Sequence, residues 1–384
     1  MGKITHGVEQ EIQIVNETGI LEEKVRELMG NVPTSLGGGK DRKFIKDAYD
    51  TQLEIVTGIA TDLDELKNEL IFLRLLGHEA ADSNSVYLIS TGTNPMTPSR
   101  PGENFGEHHH LGAPSTRDKV TMHNFIREFT AELMALTVNS PVYMPEKITE
   151  FESFRATRNP HIGYSPRIDY DRYLAGTSLA HLRNRRYLDV SPFTKGDKPT
   201  VETRLFDVQL TVPRTIALAA IMEAIGLKAL KYSREKRIPP RISPQTIITN
   251  RREALKNGLR ARFVADSNIK YSVEFLYHRM GEPNVKEIPA WKAVELLMVY
   301  LEEEFSELGI DWKKDKIMSP VRESLRFKLT QADFQLAIFK EHGIRKLIEE
   351  LIRWTKFGSM GKDIPLYETA AKVRGNLYER AVHI

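Results

Sequence analysis

Four short segments each carry two polar or charged residues one position apart. They are Glu9 and Glu11 in GVEQEI, Gln52 and Glu54 in TQLEI, His108 and His110 in GEHHHLG, and Glu202 and Arg204 in VETRL. All four read as strands, and residues i and i+2 of a strand point to the same side. A sheet face that is covered rejects this many charges unless they pair with one another or bind ions. Three or more carboxylates with an imidazole suit Mg²⁺ or Mn²⁺, which prefer oxygen ligands and tolerate one nitrogen. One such pair alone reads as a solvated outer face, and His108 with His110 alone would also fit a zinc site. Four segments in the same phase read instead as one shared functional face.

The elements that must position these residues can be read from periodicity. Residues 4–15, 51–57, 86–91, 106–113 and 200–210 read as strands. Helices are expected at 21–30, at 61–82 with Thr61 or Asp62 as cap, and at 118–138. Leu63, Leu66, Leu70, Leu73 and Leu76 form one apolar stripe on the second of these. Pro213 is well placed to open a helix over 214–232. From about 243 onward the chain reads almost entirely as helix, at 243–261, 290–308, 330–341 and 343–356. The stretch 151–187 is rich in Arg and Tyr and fits no single pattern. The expected class is α+β, in one domain spanning 1–384, strand-rich to about 212 and mainly helical over 213–384.

Composition removes whole classes of chemistry. The chain has no cysteine, which excludes disulfides, thiolate nucleophiles and Cys-bound zinc. Its 55 basic and 52 acidic residues give a net charge of +3, against a dedicated nucleic-acid protein but compatible with a local pocket for a polyanion. No run of about 18 apolar residues occurs and the N-terminus has no apolar signal core, so a cytoplasmic protein with no membrane partner is expected. GGGK at 37–40 lacks the spacing of a phosphate-binding loop. The basic runs 183–186 and 228–241 read as solvated faces. Met122, Met134 and Met222 fall on apolar helix phases and read as core.

An ordered set of motifs resembles the type 2 glutamate–cysteine ligase family, which includes the bacterial carboxylate–amine ligases. G-x-E-x-E is matched by Gly7, Glu9 and Glu11, and the next strand by Glu54 and Thr57. G-T-x-P is matched by Gly92, Thr93 and Pro95, and G-Q-H-x-H-x-G by Gly106, His108, His110 and Gly112. Ala135, Leu136, Ser140 and Pro141 follow, then Ser153, Phe154 and Arg155. T-V-E-x-R-x-x-D is matched by Thr200, Val201, Glu202, Arg204 and Asp207. Asn250, Arg251, Ala254, Gly258 and Leu259 close the series.

The resemblance implies a glutamine synthetase-like curved antiparallel sheet with flanking helices. It implies ATP with Mg²⁺ or Mn²⁺, and a glutamate-like carboxylate activated as an acyl phosphate before an amine attacks it. On that footing Glu9, Glu11, Glu54, His108 and Glu202 are metal ligands, with His110 and Arg251 on the nucleotide. Either histidine could take either role. Arg204 stabilises the transferring phosphate, and Arg155 offers a bidentate fork to a carboxylate or phosphate. A loop salt bridge for Arg155 and a solvated helix face for Arg251 are the plain alternatives. A homo-oligomer, most plausibly a dimer, is expected. Two other readings stay open. One is a metal-dependent hydrolase that uses the same His and Glu residues and turns over without ATP. The other is a non-catalytic nucleic-acid-binding protein that uses the Arg-rich segments 151–187 and 228–262. The chain departs from the pattern at Glu107, where the family has Gln, and at Glu253, where Arg is common. If both lined the site, the pocket would be acidic and would favour a cationic amine. Strand phase, however, points Glu107 away from His108 and His110.

Overall fold

The computed structural model describes residues 4–37, 43–46, 48–98, 100, 103–145, 147–158, 163–174, 188–192, 200–237, 241–265, 286–366 and 368–369. The stretch 38–40 and the basic run 183–186 lie outside the described residues. Seven strands form one sheet: β1 (Thr5–Val15), β2 (Phe44–Lys46), β3 (Gln52–Val56), β4 (Tyr87–Ile89), β5 (Gly106–Gly112), β6 (Val190–Ser191) and β7 (Thr200–Asp207). Their order is β2-β3-β1-β5-β7-β6, with β4 paired to the end of β1, and every pair is antiparallel. The class is α+β, as expected. The central strands β1, β5 and β7 are joined by long connections rather than hairpins, so neighbours in space are distant in sequence.

Helices cover one face of the sheet. The first is α1 (Val25–Gly30), a short piece of the helix expected at 21–30, followed by the single turn α2 (Thr34–Gly37). Helix α3 (Leu63–Ser83) starts at Asp62, whose side chain accepts the Glu65 amide, and it buries Leu63, Leu66, Leu70 and Leu73. Its Gly77 faces Leu53, Leu88 and Phe44 of the sheet. The helix expected at 118–138 is interrupted. It becomes α4 (Thr116–Ile126), a 3-10 turn at 127–129, and α5 (Thr130–Thr137). Met122 and Met134 are core, as is Met222.

In the unassigned stretch, α6 (Phe154–Arg158) and α7 (Tyr170–Leu174) are short helices. Helix α8 (Val212–Arg234) opens with Pro213 in its first turn and is almost fully apolar where it crosses under the sheet. Helix α9 (Pro244–Asn257) is capped by Ser243.

After residue 212 the described residues are mainly helical, and Arg262–Val264 and Glu287–Pro289 add a two-stranded ribbon. The run 228–241 is not a solvated basic face throughout. Lys228 and Lys231 both reach the fully buried carboxylate of Glu304, at 2.7 and 2.8 Å. The helix expected at 290–308 breaks at Leu301 into Ala290–Tyr300 and Glu302–Glu307. The helix Ser319–Phe327 was not anticipated. The last long helix, Gln331–Ser359, kinks at Gly343, whose φ of 76° no helical residue adopts. That is where the sequence divides 330–341 from 343–356.

Candidate active site

The face of the sheet opposite those helices gathers the charged residues. Cross-strand register pairs Glu9 with His108, Glu11 with Glu54, and His110 with Glu202. His108 is the centre. Its Nδ1 lies 3.2 Å from Glu9 Oε2 and 3.9 Å from Glu202 Oε1, and its Nε2 lies 3.9 Å from Glu11 Oε1. His110 Nε2 is 3.4 Å from the other oxygen of Glu9. One ligand atom from each of Glu9, His108 and Glu202 falls within 4.8 Å of the others. Two carboxylates and one imidazole at that separation form a donor set that Mg²⁺ or Mn²⁺ accepts. Burial pushes the Glu9 carboxyl up, but hydrogen bonds from His108 and His110 outweigh it and hold the group well below the usual carboxylate range. Burial likewise opposes charge on His110, and its partners Glu9 and Glu202 raise its pKa above the ordinary value all the same.

The arginines take different places around this face. Arg204 pairs directly with Glu202, and its Nε is buried without a hydrogen bond among the described residues. Arg155 is only 1% exposed. Its Nε donates to Asn104 Oδ1 at 3.1 Å and its Nη2 to the Arg204 carbonyl at 3.4 Å, while Nη1 lies 4.0 Å from Asp207 Oδ1. The guanidinium stands over Gly106, where an added Cβ would come within 2.0 Å of Nη2. Gly106 in turn donates its amide to Glu11 Oε2 at 2.5 Å. Arg155 therefore supports Glu11 and Arg204 from within the protein. Arg251 is also buried. It pairs with Asp189, whose carbonyl accepts the Arg204 amide at 2.9 Å, so it sits behind Arg204 at the β6 edge.

Asp207 was part of a motif but carried no expected role. It accepts the Asn139 amide and the hydroxyls of Ser140 and Ser153, each at 2.8 Å. It thus ties the end of β7 to the segments on either side of Arg155. Its signal in the sequence was its place in T-V-E-x-R-x-x-D, after the motifs that carry Ser140 and Ser153. Asn104 gave no signal.

Glu107 points to the opposite side, fully buried under the sheet, as its strand phase indicated. Glu253 is half-buried on α9, beside Asn257. The premise that both carboxylates line the site fails at Glu107, which lies on the other side of the sheet.

The model of the glutamate–cysteine ligase family 2 matches residues 5–298, more than half of the chain. The chain belongs to that family. It is 23% identical over 344 residues to a putative glutamate–cysteine ligase 2 of Solibacter usitatus, covering 81% of this chain and 83% of the relative. The glutamate–cysteine ligase of Francisella tularensis, solved in complex with AMP, superposes with a TM-score of 0.61 at 13% identity, covering 99% of this chain and 94% of that one. A bifunctional glutathione synthetase from Pasteurella multocida gives the same TM-score at 14% identity. It covers 93% of this family 2 chain, which spans about half (52%) of the longer protein. These solved structures share the glutamine synthetase-like fold that the motifs implied.

Proposed function

We propose that this family 2 chain is an ATP- and divalent-metal-dependent carboxylate–amine ligase acting on the γ-carboxylate of glutamate. The observation that carries the reading is the meeting of Glu9, His108 and Glu202 on one sheet face, with Arg204 two residues beyond Glu202. Glu9, His108 and Glu202 would hold the metal, with Glu11 and Glu54 on the same face completing the acidic wall. A bound Mg²⁺ or Mn²⁺ supplies charge neutralisation on the γ-phosphate and its transferring oxygens.

The reaction has two displacements. A carboxylate oxygen of the substrate attacks the γ-phosphorus of ATP, the bond to the ADP oxygen breaks, and an acyl phosphate forms. The neutral amine then attacks the acyl carbon, inorganic phosphate leaves, and the amine nitrogen gives up a proton. Arg204, leaving Glu202 to do so, would neutralise charge on the transferring phosphoryl oxygens and on the ADP oxygen as its bond breaks. Arg155 orients Arg204 and Glu11, and Arg251 with Asp189 fixes the strand edge behind them. His110, beside Glu9, would contact the nucleotide. The whole chain acts as one catalytic unit, as a cytoplasmic homodimer without nucleic-acid or membrane partners. No helix among the described residues is long and apolar enough to cross a membrane.

The test is ADP release from ATP and glutamate, screened over cysteine, other amino acids, polyamines and ammonia. Release that requires both glutamate and an amine supports the ligase. Turnover of an amide or peptide bond without ATP would replace it with the hydrolase. Binding that falls steeply with salt and no turnover would point to nucleic acid.

A further inference from the structure

Directly beneath His108, on the covered side of the sheet, runs a chain of buried polar groups that the proposed reaction does not use. Glu107 pairs with Phe206 and His109 with Thr203, so strand β7 bulges there: Arg204 and Leu205 together lie opposite His108, and the register of β5 against β7 shifts at that residue. The two residues flanking His108 point downward. Glu107 Oε1 accepts from His109 Nε2 at 2.9 Å. Its Oε2 accepts from Gln10 Nε2 at 2.6 Å, from Thr215 Oγ1 at 2.9 Å and from the Gln209 amide at 3.2 Å. His109 Nδ1 lies 2.9 Å from His6 Nε2, and His6 Nδ1 lies 3.1 Å from Glu223 Oε1. On the far side, Arg74 donates to Gln10 Oε1 at 2.8 Å and to the carbonyls of Gln209 and Leu210. Glu107, His109, His6, Gln10 and Arg74 are all 1% exposed or less.

This chain clamps β5 beside the bulge. The extra residue in β7 interrupts the pairing of β5 at His108 on that side, and a slip of β5 by one position would turn His108 to the other face. Glu107 and His109 are pinned to β1 through Gln10 and His6, and to α8 through Thr215 and Glu223. A slip would break all of these buried contacts at once, and each orphaned group would bear its desolvation cost. Resting on the metal-site reading above, we infer that Glu107 and His109 are positioning residues that set His108 for metal binding from the far side of the sheet.

Donor and acceptor roles select the informative variants. A glutamine at 107 can donate its NH₂ to His109 Nε2 while its carbonyl still accepts from Gln10, Thr215 and Gln209. His109 then donates from Nδ1 to His6, and His6 donates from Nδ1 to Glu223. The chain runs in the reverse direction with every member satisfied. A methionine fills similar volume but accepts nothing, and it leaves His109, Gln10 and the Gln209 amide without their acceptor.

The experiment measures Mn²⁺ affinity on the full chain without nucleotide, by loss of the free-ion electron paramagnetic resonance signal, with thermal unfolding alongside. Glu107→Met is expected to weaken Mn²⁺ binding about tenfold or more, the range for outer-shell changes. Glu107→Gln is expected to bind within about twofold of the wild type. A purely structural role would lower the unfolding temperature of Glu107→Met and leave its Mn²⁺ affinity unchanged, and that result overturns the inference. So would a Glu107→Gln variant as weak as Glu107→Met. Should Glu107→Met not fold cooperatively, His6→Gln and Thr215→Val each remove one clamp contact, and unchanged Mn²⁺ affinity in both has the same force. If the wild type itself takes up no Mn²⁺ at millimolar concentration, the metal-site reading has failed first.

Discussion

Glu11 and Glu202 flank a single imidazole: each places a carboxylate oxygen 3.9 Å from a ring nitrogen of His108, Glu11 at Nε2 and Glu202 at Nδ1. They come from β1 and β7, which never touch, and β5 between them supplies the ring. Removing either negative charge should weaken neutralisation of a transferring phosphate without disturbing the apolar core. Glu11→Gln and Glu202→Gln are each expected to cut ATP turnover about a hundredfold or more. Circular dichroism and the unfolding midpoint should stay close to the wild type, since mutual repulsion of the carboxylates is relieved. Full turnover in either variant would remove that residue from the metal set.

Gly106 and Arg155 occupy complementary space. Adding a methyl group at 106 drives Arg155 away from Asn104 and the Arg204 carbonyl. Gly106→Ala is expected to destabilise by about 1–3 kcal/mol, and to lower turnover through Glu11 and Arg204. The cost should shrink in an Arg155→Ala background, where the obstacle is gone. Urea unfolding of the four proteins of this cycle gives the coupling energy, and strict additivity would show that the two residues do not compete.

Glu132 on α5 is buried, and its Oε2 has no hydrogen-bond partner among the described residues. Burial, with some help from Glu128, raises its pKa to about 7. An unfolded chain loses that proton near pH 4.3, so between there and 7 the folded state binds more protons than the unfolded one. The contribution to stability is complete below this window and is lost as pH rises through it. Glu132→Gln should therefore match the wild type near pH 5 and exceed it at pH 8 by up to about 3 kcal/mol. Urea midpoints at the two pH values decide it, and a gain equal at both would mean the carboxyl is ionised throughout.

Glu304 is fully buried between Lys228 and Lys231. Glu304→Ala takes the carboxylate from Lys228, while Lys231 keeps Glu303 and Glu307, and about 3 kcal/mol of stability is expected to go. Because the carboxylate is enclosed, 0.5 M salt should not recover the loss. Recovery would identify the pair as a screened surface contact.

The charged face was legible because strand phase is a local property: Glu9 and Glu11, His108 and His110, Glu202 and Arg204 each declare their common side within three residues. The same phase correctly sent Glu107 to the other face. What lay beneath was not legible. His6, Glu107 and Glu223 acquire their roles from partners about 100 to 200 residues away, and nothing local distinguishes a solvated glutamate from a buried one. Lys228 and Lys231 looked like a solvated run for the same reason, since Glu304 is more than seventy positions further on. Strands β2 and β6, of three and two residues, are too short for alternation to register, and so is the ribbon after residue 261.

The order in which the central strands follow one another has a consequence for biosynthesis. β1 leaves the ribosome early, yet its neighbour β5 begins at residue 106, and β7 ends at residue 207. At roughly 5–20 residues per second, the interval from β1 to β7 is about 10–40 s. Through its later part, after β5 has paired with β1 by residue 112, the other edge of β5 stays open until β7 emerges. Such an edge invites pairing with a second nascent chain. The protein's yield in a cell should depend on holdase chaperones and rise when translation is paced by lower temperature, whereas chains stopped before residue 200 should accumulate as aggregates.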